Sequence, residues 1–494
     1  MICVTLSQPT HEALIRQHHQ VADQGVELVE LRVDLMKQDP DVFRLIENRP
    51  TPVVVTCRRK EDGGAYVGEE SQRRNILLSA MKAGAEYVDV ECDTASAIPP
   101  SGSTKRIVSY HNFQKTPENL DQIHAQLLSC DPDIVKLATL AKNPEDNIRM
   151  LELVRESPVS TTAFCMGSLG LVSRVLTGKY GAPWTYASAS ETEVVAPGQL
   201  SYETMIRRYR YHQIDRDTEL YGVVGDPIEH SLSPHIHNAA FTHLEMNKVY
   251  LPFHVPVRQW KAFLLAAQWL ELKGLSVTIP HKQAAYQLAK VADETVQITG
   301  ACNTLVRNAN HWEGYNTDGM AALESVGGAT VTRNKTVLVL GAGGAAKAVG
   351  YALSQSGGRV IVTNRTHQRA EQLAAELACD LVPWEKRISV QADMVVNCTS
   401  VGMFPHTDGS PFPTEALKPG TIVFDTVYNP KWTRLLTEAS ERNCSVVAGR
   451  EMFVLQAAGQ FRIFTGKPAP LELMREVVAQ VLDGQSTHAS VCWI

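Results

Sequence analysis

Lys136 stands between Ile134-Val135 and Leu137-Ala138, in an apolar run where an ammonium is costly to bury. Desolvation and nearby arginines would lower the pKa of such a lysine, and a neutral amine can attack a ketone to form an imine. Taken alone, it could also be a snorkelling or paired lysine. His111, in SYHNF at the end of the preceding apolar run, changes that weighting. An imine acidifies the adjacent C–H, and an imidazole poised near neutrality could remove that proton and later protonate a departing hydroxyl. Lysine and histidine together describe a β-elimination. Glu30, Arg32, Arg58 and Arg174 would supply the carboxylate clamp and hydroxyl contacts of an anionic polyol, although singly each arginine could be a surface ion pair. Glu91 is open between two roles, orienting His111 or pairing with a cation.

A second constellation lies in the other half. VLVLGAGGAAKAV follows an apolar run and opens a helical pattern, so Gly341, Gly343 and Ala346 fit the G-x-G-x-x-A dinucleotide turn. The next strand candidate, RVIVTNRT, ends about twenty residues on, where NAD-binding proteins carry an acidic residue. Asn364-Arg365-Thr366 occupies that place. A guanidinium and a hydroxyl suit a 2′-phosphate, which favours NADP over NAD. Lys282 and Asp318 could form a proton-transfer pair for the alkoxide left by hydride delivery to a ketone; alone, they are an ordinary ion pair.

The elements that must position these groups are legible in outline. Up to about residue 210, short apolar runs alternate with helical patterns in roughly eight units, the number of a (β/α)8 TIM barrel. The strand candidates are ICVTL, VELVELRV, PVVVTC, YVDVE, RIVSY, DIVKLA, STTAFC and WTYAS. Glu30, Arg32, Arg58, Glu91, His111, Lys136 and Met166 lie on or just after them, on the face where barrels build active sites. MIRRYRYHQIDRDTEL then crosses to a new domain. The expected architecture is α/β: a barrel over 1–212, a lobe over 219–330 completed by helices at about 455–494, and a Rossmann-like lobe over 331–450.

Composition narrows the partners. The 494 residues exceed what one core normally supports, and 44% apolar with 20% charged residues is globular. A formal charge of -6 without a basic stripe argues against nucleic acid. No apolar stretch is long enough for a membrane span, and MICVTLS reads as a first strand rather than a signal peptide. The 10 Cys show neither a C-x-x-C pair nor zinc spacing, so reduced, mostly buried thiols and no metal are expected. The expected compartment is the cytoplasm, or the plastid stroma if a transit peptide was removed.

The first half resembles the type I 3-dehydroquinate dehydratases across residues 1 to 210, through ELVELRVD, TCRRKEDGG, SYHNF, IVKLAT, FCMGSLGLVSR and APGQ. That resemblance implies that Lys136 forms the Schiff base and His111 is the general acid/base. It makes Glu30, Arg32, Arg58 and Arg174 substrate binders, Gln199 a closing-loop contact and Met166 an active-site methionine. Asp62 and Val195 depart from the family's usual Glu and Ser.

From about residue 220 the chain is similar to shikimate dehydrogenase, through GDPIEHSLSPHIHNAAF, GLSVTIPHK, GACNTL and GYNTDG. This implies that Ser231 and Ser233 bind the substrate carboxylate, that Thr278, Asn303 and Gln456 contact its hydroxyls, that Tyr428 completes the pocket, and that Lys282 and Asp318 are catalytic. It places Gly341, Gly343, Gly344 and Ala345 at the NADP pyrophosphate, Asn364, Arg365 and Thr366 at the adenosine phosphate, and Thr399, Ser400, Val401, Gly402 and Met403 beside the nicotinamide, with Gly449 also a cofactor contact. Ser276 stands where the family often has Asn, with a weaker or water-mediated contact expected. Together the halves resemble the plant-type fusion, which converts 3-dehydroquinate through 3-dehydroshikimate to shikimate. The alternatives are a half that senses pathway intermediates without turnover, or a second half that prefers quinate; serine at both 231 and 233 favours shikimate.

Overall fold

The computed structural model describes residues 1–487. Two compact units divide the described chain: residues 1–219 with 247–249 and 253–271, and residues 220–246 with 250–252 and the described residues from 272 onward.

In the first unit eight parallel strands alternate with helices: β1 (Ile2–Leu6), β2 (Leu28–Arg32), β3 (Val53–Thr56), β4 (Tyr87–Glu91), β5 (Lys105–Asn112), β6 (Ile134–Leu140), β7 (Thr161–Met166) and β8 (Thr185–Ser188). Their order is β7-β6-β5-β4-β3-β2-β1-β8, a nearly closed barrel. At the seam between β7 and β8, Thr162 Oγ1 donates to the Trp184 carbonyl at 3.1 Å. Strand residues two apart face the same way. Cys3, Leu28, Val54, Ile107, Ile134 and Trp184 accordingly form one apolar cluster inside the barrel. The residues two further along, Thr5, Glu30, Thr56, Ser109, Lys136 and Tyr186, make the next layer up. That layer is polar and almost wholly buried.

Two six-stranded sheets follow the barrel strands in sequence. In the first, β9 (Glu219–Gly225), β10 (Lys248–His254), β11 (Gly274–Val277), β12 (Ala289–Ala292), β13 (Thr304–Asn308) and β14 (His311–Tyr315) run in the order β10-β9-β11-β13-β14-β12. The β13–β14 pair is an antiparallel hairpin. In the second, β15 (Thr336–Leu340), β16 (Arg359–Thr363), β17 (Asp380–Leu381), β18 (Met394–Asn397), β19 (Ile422–Asp425) and β20 (Ser445–Ala448) are all parallel, in the order β17-β16-β15-β18-β19-β20. That order reverses between β15 and β18, so the crevice past their carboxyl ends is where a dinucleotide binds in doubly wound folds. Two C-terminal helices follow, Gly449–Thr465 and Leu471–Thr487. The first contributes Phe453, Val454, Ala457 and Phe461 to the core around β9 and the helix Ser233–His243.

Among the described residues no helix is long and apolar enough to cross a membrane, and no group of His, Cys, Asp and Glu is arranged to hold a metal ion. The expectation of mostly buried thiols needs correcting. Cys3, Cys57, Cys165 and Cys302 are buried, but Cys92, Cys130, Cys379, Cys398 and Cys444 are only half-buried. Folding also brings Cys92 and Cys130 to an Sγ–Sγ distance of 3.2 Å, which their sequence separation hides.

Candidate active sites

Parallel register builds the barrel site. Thr5 stands opposite Glu30, Thr56 opposite Asp89 and Ser109 opposite Lys136, so groups distant in sequence share one rim. Lys136 Nζ lies 3.0 Å from Glu30 Oε1 and 2.9 Å from Asp89 Oδ2, and sits over the Tyr186 ring at 4.0 Å. The expected nearby arginine is present in Arg58, but the closest charged neighbours of Lys136 are carboxylates. Arg58, which shares Asp89 with it, is itself neutralised, meeting Asp89 and Glu91 at 2.7 Å each.

Electrostatics follows from this packing. Burial pushes Asp89 upward, but the charges of Arg58 and Lys136 outweigh it and hold the carboxyl far below its usual range. Glu30 behaves alike, with burial opposed by Lys136 and Arg32. Its two oxygens also accept from Thr5 Oγ1 and Thr56 Oγ1, each at 3.0 Å. His111 goes the other way: burial, then the charges of Arg58 and Lys136, press its pKa well below 6.5, so the ring is neutral. Glu91 does not orient it. Glu91 pairs with Arg58 and lies 2.7 Å from Arg73, which decides its open role in favour of the cation.

Several buried polar atoms here have no hydrogen-bond partner among the described residues: His111 Nδ1, and Nε and Nη2 of Arg174. Orphaned groups of this kind are rare in folded proteins and mark where a polar ligand can bind. Arg174 is the clearest case. Its single hydrogen bond is from Nη1 to the Tyr186 carbonyl at 3.3 Å, its plane lies over Phe164 at 4.4 Å, and burial lowers its pKa to about 10. Arg32 is held by Asp34 at 2.8 Å. Gln199 is buried, donates to Thr5 Oγ1 at 3.3 Å and accepts from the Val195 amide at 3.1 Å, so the loop closes over Thr5. Met166 is buried at the end of β7. Asp62 is turned to Arg59. Sequence reasoning missed Asp89, Ser109 and Tyr186. The alternation in YVDVE, which puts Asp89 and Glu91 on one face, was the available signal.

In the other half, Lys282 and Asp318 open two separate helices, Lys282–Leu288 and Asp318–Ser325, and form an ion pair. A carboxylate in the first turn of a helix is favoured by the helix dipole. Asn303 Nδ2 donates to Asp318 Oδ1 at 2.8 Å and to Thr317 Oγ1 at 2.9 Å. Its Oδ1 accepts from Thr304 Oγ1 at 2.7 Å and the Thr317 amide at 3.0 Å. All four positions of that amide are in use, so Asn303 contacts a substrate only by exchanging one. Ser231 Oγ accepts from the Ser233 amide at 3.3 Å, and Thr278 follows β11. Gln456 turns its amide to the Phe453 carbonyl at 2.9 Å, and Tyr428 stacks on the Phe453 ring at 4.4 Å. Ser276 lacks the freedom expected for a substrate contact. It is buried, accepts from Tyr250 OH at 2.6 Å and donates to Gln460 Oε1 at 2.7 Å.

The dinucleotide turn has the required openness. Gly341 follows β15 at φ +116°, a conformation L side chains rarely adopt. A Cβ built on Gly343 would meet nothing within 4 Å, so the space in front of it is open. The turn opens the helix Gly344–Gln355, with Ala345 half-buried and Ala346 buried. Asn364 Nδ2 donates to the Thr366 carbonyl at 3.0 Å, while Arg365 is exposed with no ion pair among the described residues. These residues fit NADP, whose 2′-phosphate needs a free cation. Past β18, Asn397 Oδ1 accepts from the Thr399 amide at 2.9 Å and fixes the start of the segment through Ser400, Val401 and Gly402 to the exposed Met403. Gly449 has a packing reason of its own, because a Cβ there would lie 2.5 Å from the Thr426 carbonyl.

Comparison with known proteins matches residues 2–216 to type I 3-dehydroquinase, 223–305 to the shikimate dehydrogenase substrate binding domain, 324–404 to shikimate / quinate 5-dehydrogenase and 449–479 to the shikimate 5'-dehydrogenase C-terminal domain. The chain is 37% identical to the chloroplastic bifunctional 3-dehydroquinate dehydratase/shikimate dehydrogenase of Arabidopsis thaliana, over 97% of this chain and 84% of that protein. It is 28% identical to the shikimate biosynthesis protein AroDE of Chlamydia pneumoniae, over 94% and 95%. Among solved structures, the shikimate dehydrogenase of Thermus thermophilus with NADP(H) and shikimate is similar at a TM-score of 0.50 and 34% identity, covering 53% of this chain and 100% of that one.

Proposed function

The chain belongs to the bifunctional 3-dehydroquinate dehydratase/shikimate dehydrogenase family, and on that premise we propose that two separate lysine centres run its two reactions. It catalyses consecutive steps of the shikimate pathway: 3-dehydroquinate loses water to give 3-dehydroshikimate, which is reduced with NADPH to shikimate. Residues 1–212 carry the dehydratase, 219–330 with about 455–494 (of which 488–494 lie outside the described residues) the substrate lobe of the dehydrogenase, and 331–450 its cofactor lobe. The cytoplasm is the proposed compartment, with the plastid stroma as the alternative that the chloroplastic relative supports.

In the barrel, Lys136 loses a proton to water, attacks the ketone carbon and forms an imine with loss of water. Arg174 takes the substrate carboxylate on Nε and Nη2, and their being buried and unpartnered supports this role. Arg32, Arg58 and Glu30 contact hydroxyls, and Gln199 closes the mouth. Neutral His111 removes the proton beside the imine carbon, and the electron pair enters a C–C bond to give an enamine. The imidazolium then protonates the leaving hydroxyl, which departs as water. A further water hydrolyses the imine, restores the Lys136 amine and releases 3-dehydroshikimate.

In the second centre, Ser231 and Ser233 hold the substrate carboxylate, and Thr278, Asn303, Gln456 and Tyr428 its ring and hydroxyls. NADP would be held by Gly341, Gly343, Gly344 and Ala345 at the pyrophosphate, by Asn364, Arg365 and Thr366 at the 2′-phosphate, and by Thr399, Met403 and Gly449 near the nicotinamide; in its reduced form it supplies the hydride. Lys282 hands a proton to the oxygen that becomes the shikimate hydroxyl, and Asp318 holds Lys282 in line for that transfer.

The observation that carries this reading is that each half holds its own lysine paired to a buried carboxylate. A coupled assay tests it, with shikimate expected from 3-dehydroquinate and NADPH. Borohydride trapping with 3-dehydroquinate should add mass irreversibly at Lys136; unaltered mass would overturn the Schiff base.

A further inference from the structure

Lys282 and Asp318 come from different helices, and one other helix touches the elements of both. That helix is Gly344–Gln355, which starts at the dinucleotide turn. A Cβ built on Gly344 would lie 3.0 Å from Lys282 Cδ, 3.6 Å from Lys282 Cβ and 3.6 Å from Ala301 Cβ. Next to Asp318, a Cβ on Gly319 would lie 2.7 Å from the Ala348 carbonyl and 3.1 Å from Ala352 Cβ, both on the dinucleotide helix. Neither glycine has a positive φ, so the backbone does not demand them, and helix propensity alone favours alanine. Their bareness is used for close approach.

We propose that Gly344 and Gly319 are positioning residues for proton transfer, through which the cofactor-binding helix sets where Lys282 and Asp318 sit. This rests on the reading of Lys282 and Asp318 as the proton-transfer pair. The Lys282 main chain cannot retreat from an added methyl, because its carbonyl accepts from the Cys302 amide at 3.0 Å. The stem must yield instead, and its amine is tied to Asp318, whose other oxygen is tied to Asn303. Gly343 differs from its neighbour in meeting no protein atom. Within one turn, then, Gly343 faces open space and Gly344 faces the lysine.

The test is a set of variants in the full chain, read by shikimate oxidation at saturating NADP, by NADPH affinity from fluorescence titration and by melting temperature. Gly344→Ala should lower kcat at saturating NADP by about ten- to a hundredfold, the scale of a misplaced catalytic group, whatever its methyl also costs at the pyrophosphate, with no loss of melting temperature. Gly343→Ala should instead weaken NADPH binding by at least about tenfold, since its methyl enters the cofactor's space. In a Lys282→Ala background, Gly344→Ala should cost nothing further in rate, because it acts through the missing side chain. Gly319→Ala should repeat the kcat loss without the Kd change and stands in if Gly344→Ala does not fold. A Gly344→Ala enzyme with kcat within about twofold of the parent, or the same loss with and without Lys282, overturns the proposal. Should Lys282→Ala itself keep its activity, the proton-transfer reading fails first, a distinguishable result.

Discussion

Arg174 is a fully buried cation with one long hydrogen bond and no carboxylate of its own. A buried, uncompensated charge costs stability, and proteins keep such groups where a ligand supplies the missing partner. Arg174→Met should therefore raise the melting temperature of the barrel while raising the KM for 3-dehydroquinate. Loss of a charge-assisted bond of about 1.5–3 kcal/mol corresponds to a tenfold to more than hundredfold change, checked by steady-state kinetics beside thermal melts. His111 makes a second residue-scale prediction. Burial and the charges of Arg58 and Lys136 press its pKa well below 6.5. A base works in its unprotonated form, so lowering its pKa extends activity toward acid. The dehydratase kcat/KM should show no acid limb due to this imidazole between pH 6 and 7; a limb there that vanishes on replacing His111 would refute the assignment.

At the scale of elements, the loop carrying Gln199 depends on Gly198, which has φ +69° and whose Cβ would lie 2.4 Å from the Gly167 carbonyl. Gly198→Ala should lift that loop off β7, raising the 3-dehydroquinate KM and leaving shikimate oxidation unchanged. On the helix Ser233–His243, His237 is fully buried, stacks on Tyr250 at 4.3 Å, and has its pKa lowered to about 3 by burial. The unfolded imidazole binds a proton below about pH 6.5 and the folded one does not until about pH 3. Stability from this group is therefore complete above 6.5 and is lost by about 1.4 kcal/mol per pH unit as pH falls toward 3. His237→Phe should shrink the drop in melting temperature between pH 7.5 and 5.5. Elements of this kind are legible in sequence because each rests on local pattern. YVDVE and STTAFC read as strands from their β-branched content, and GAGG from its glycines. What joins them is not legible. Nothing in YVDVE tells which of Asp89 and Glu91 meets Lys136, because register across four strands decides it. The Gln460 amide reaches the Asn303 carbonyl at 3.1 Å across 157 residues of sequence, a contact that only tertiary packing creates. Charge balance around Lys136 is hidden for the same reason: the arginines are near in sequence pattern, whereas Asp89 arrives by pairing of β3 with β4.

At the scale of the whole molecule, the two centres lie in separate compact units and share no residue. Lys136→Ala should abolish dehydration and spare shikimate oxidation, and Lys282→Ala should cut shikimate oxidation to a small but measurable residual rate and spare dehydration, because among the described residues each lysine side chain is bonded within its own site. Such variants permit a stricter test than either loss alone. Mixed in equal amounts, they contain one working copy of each centre, on different chains. If 3-dehydroshikimate is released to solvent between the steps, the mixture should form shikimate from 3-dehydroquinate and NADPH, after a lag that shortens as enzyme concentration rises. The parent enzyme at matched active-site concentration should show the same lag and the same final rate. A parent enzyme without a lag beside a mixture with one would mean that the intermediate passes between centres of one chain faster than it escapes. Loss of both activities from either single substitution would mean that the centres are not independent.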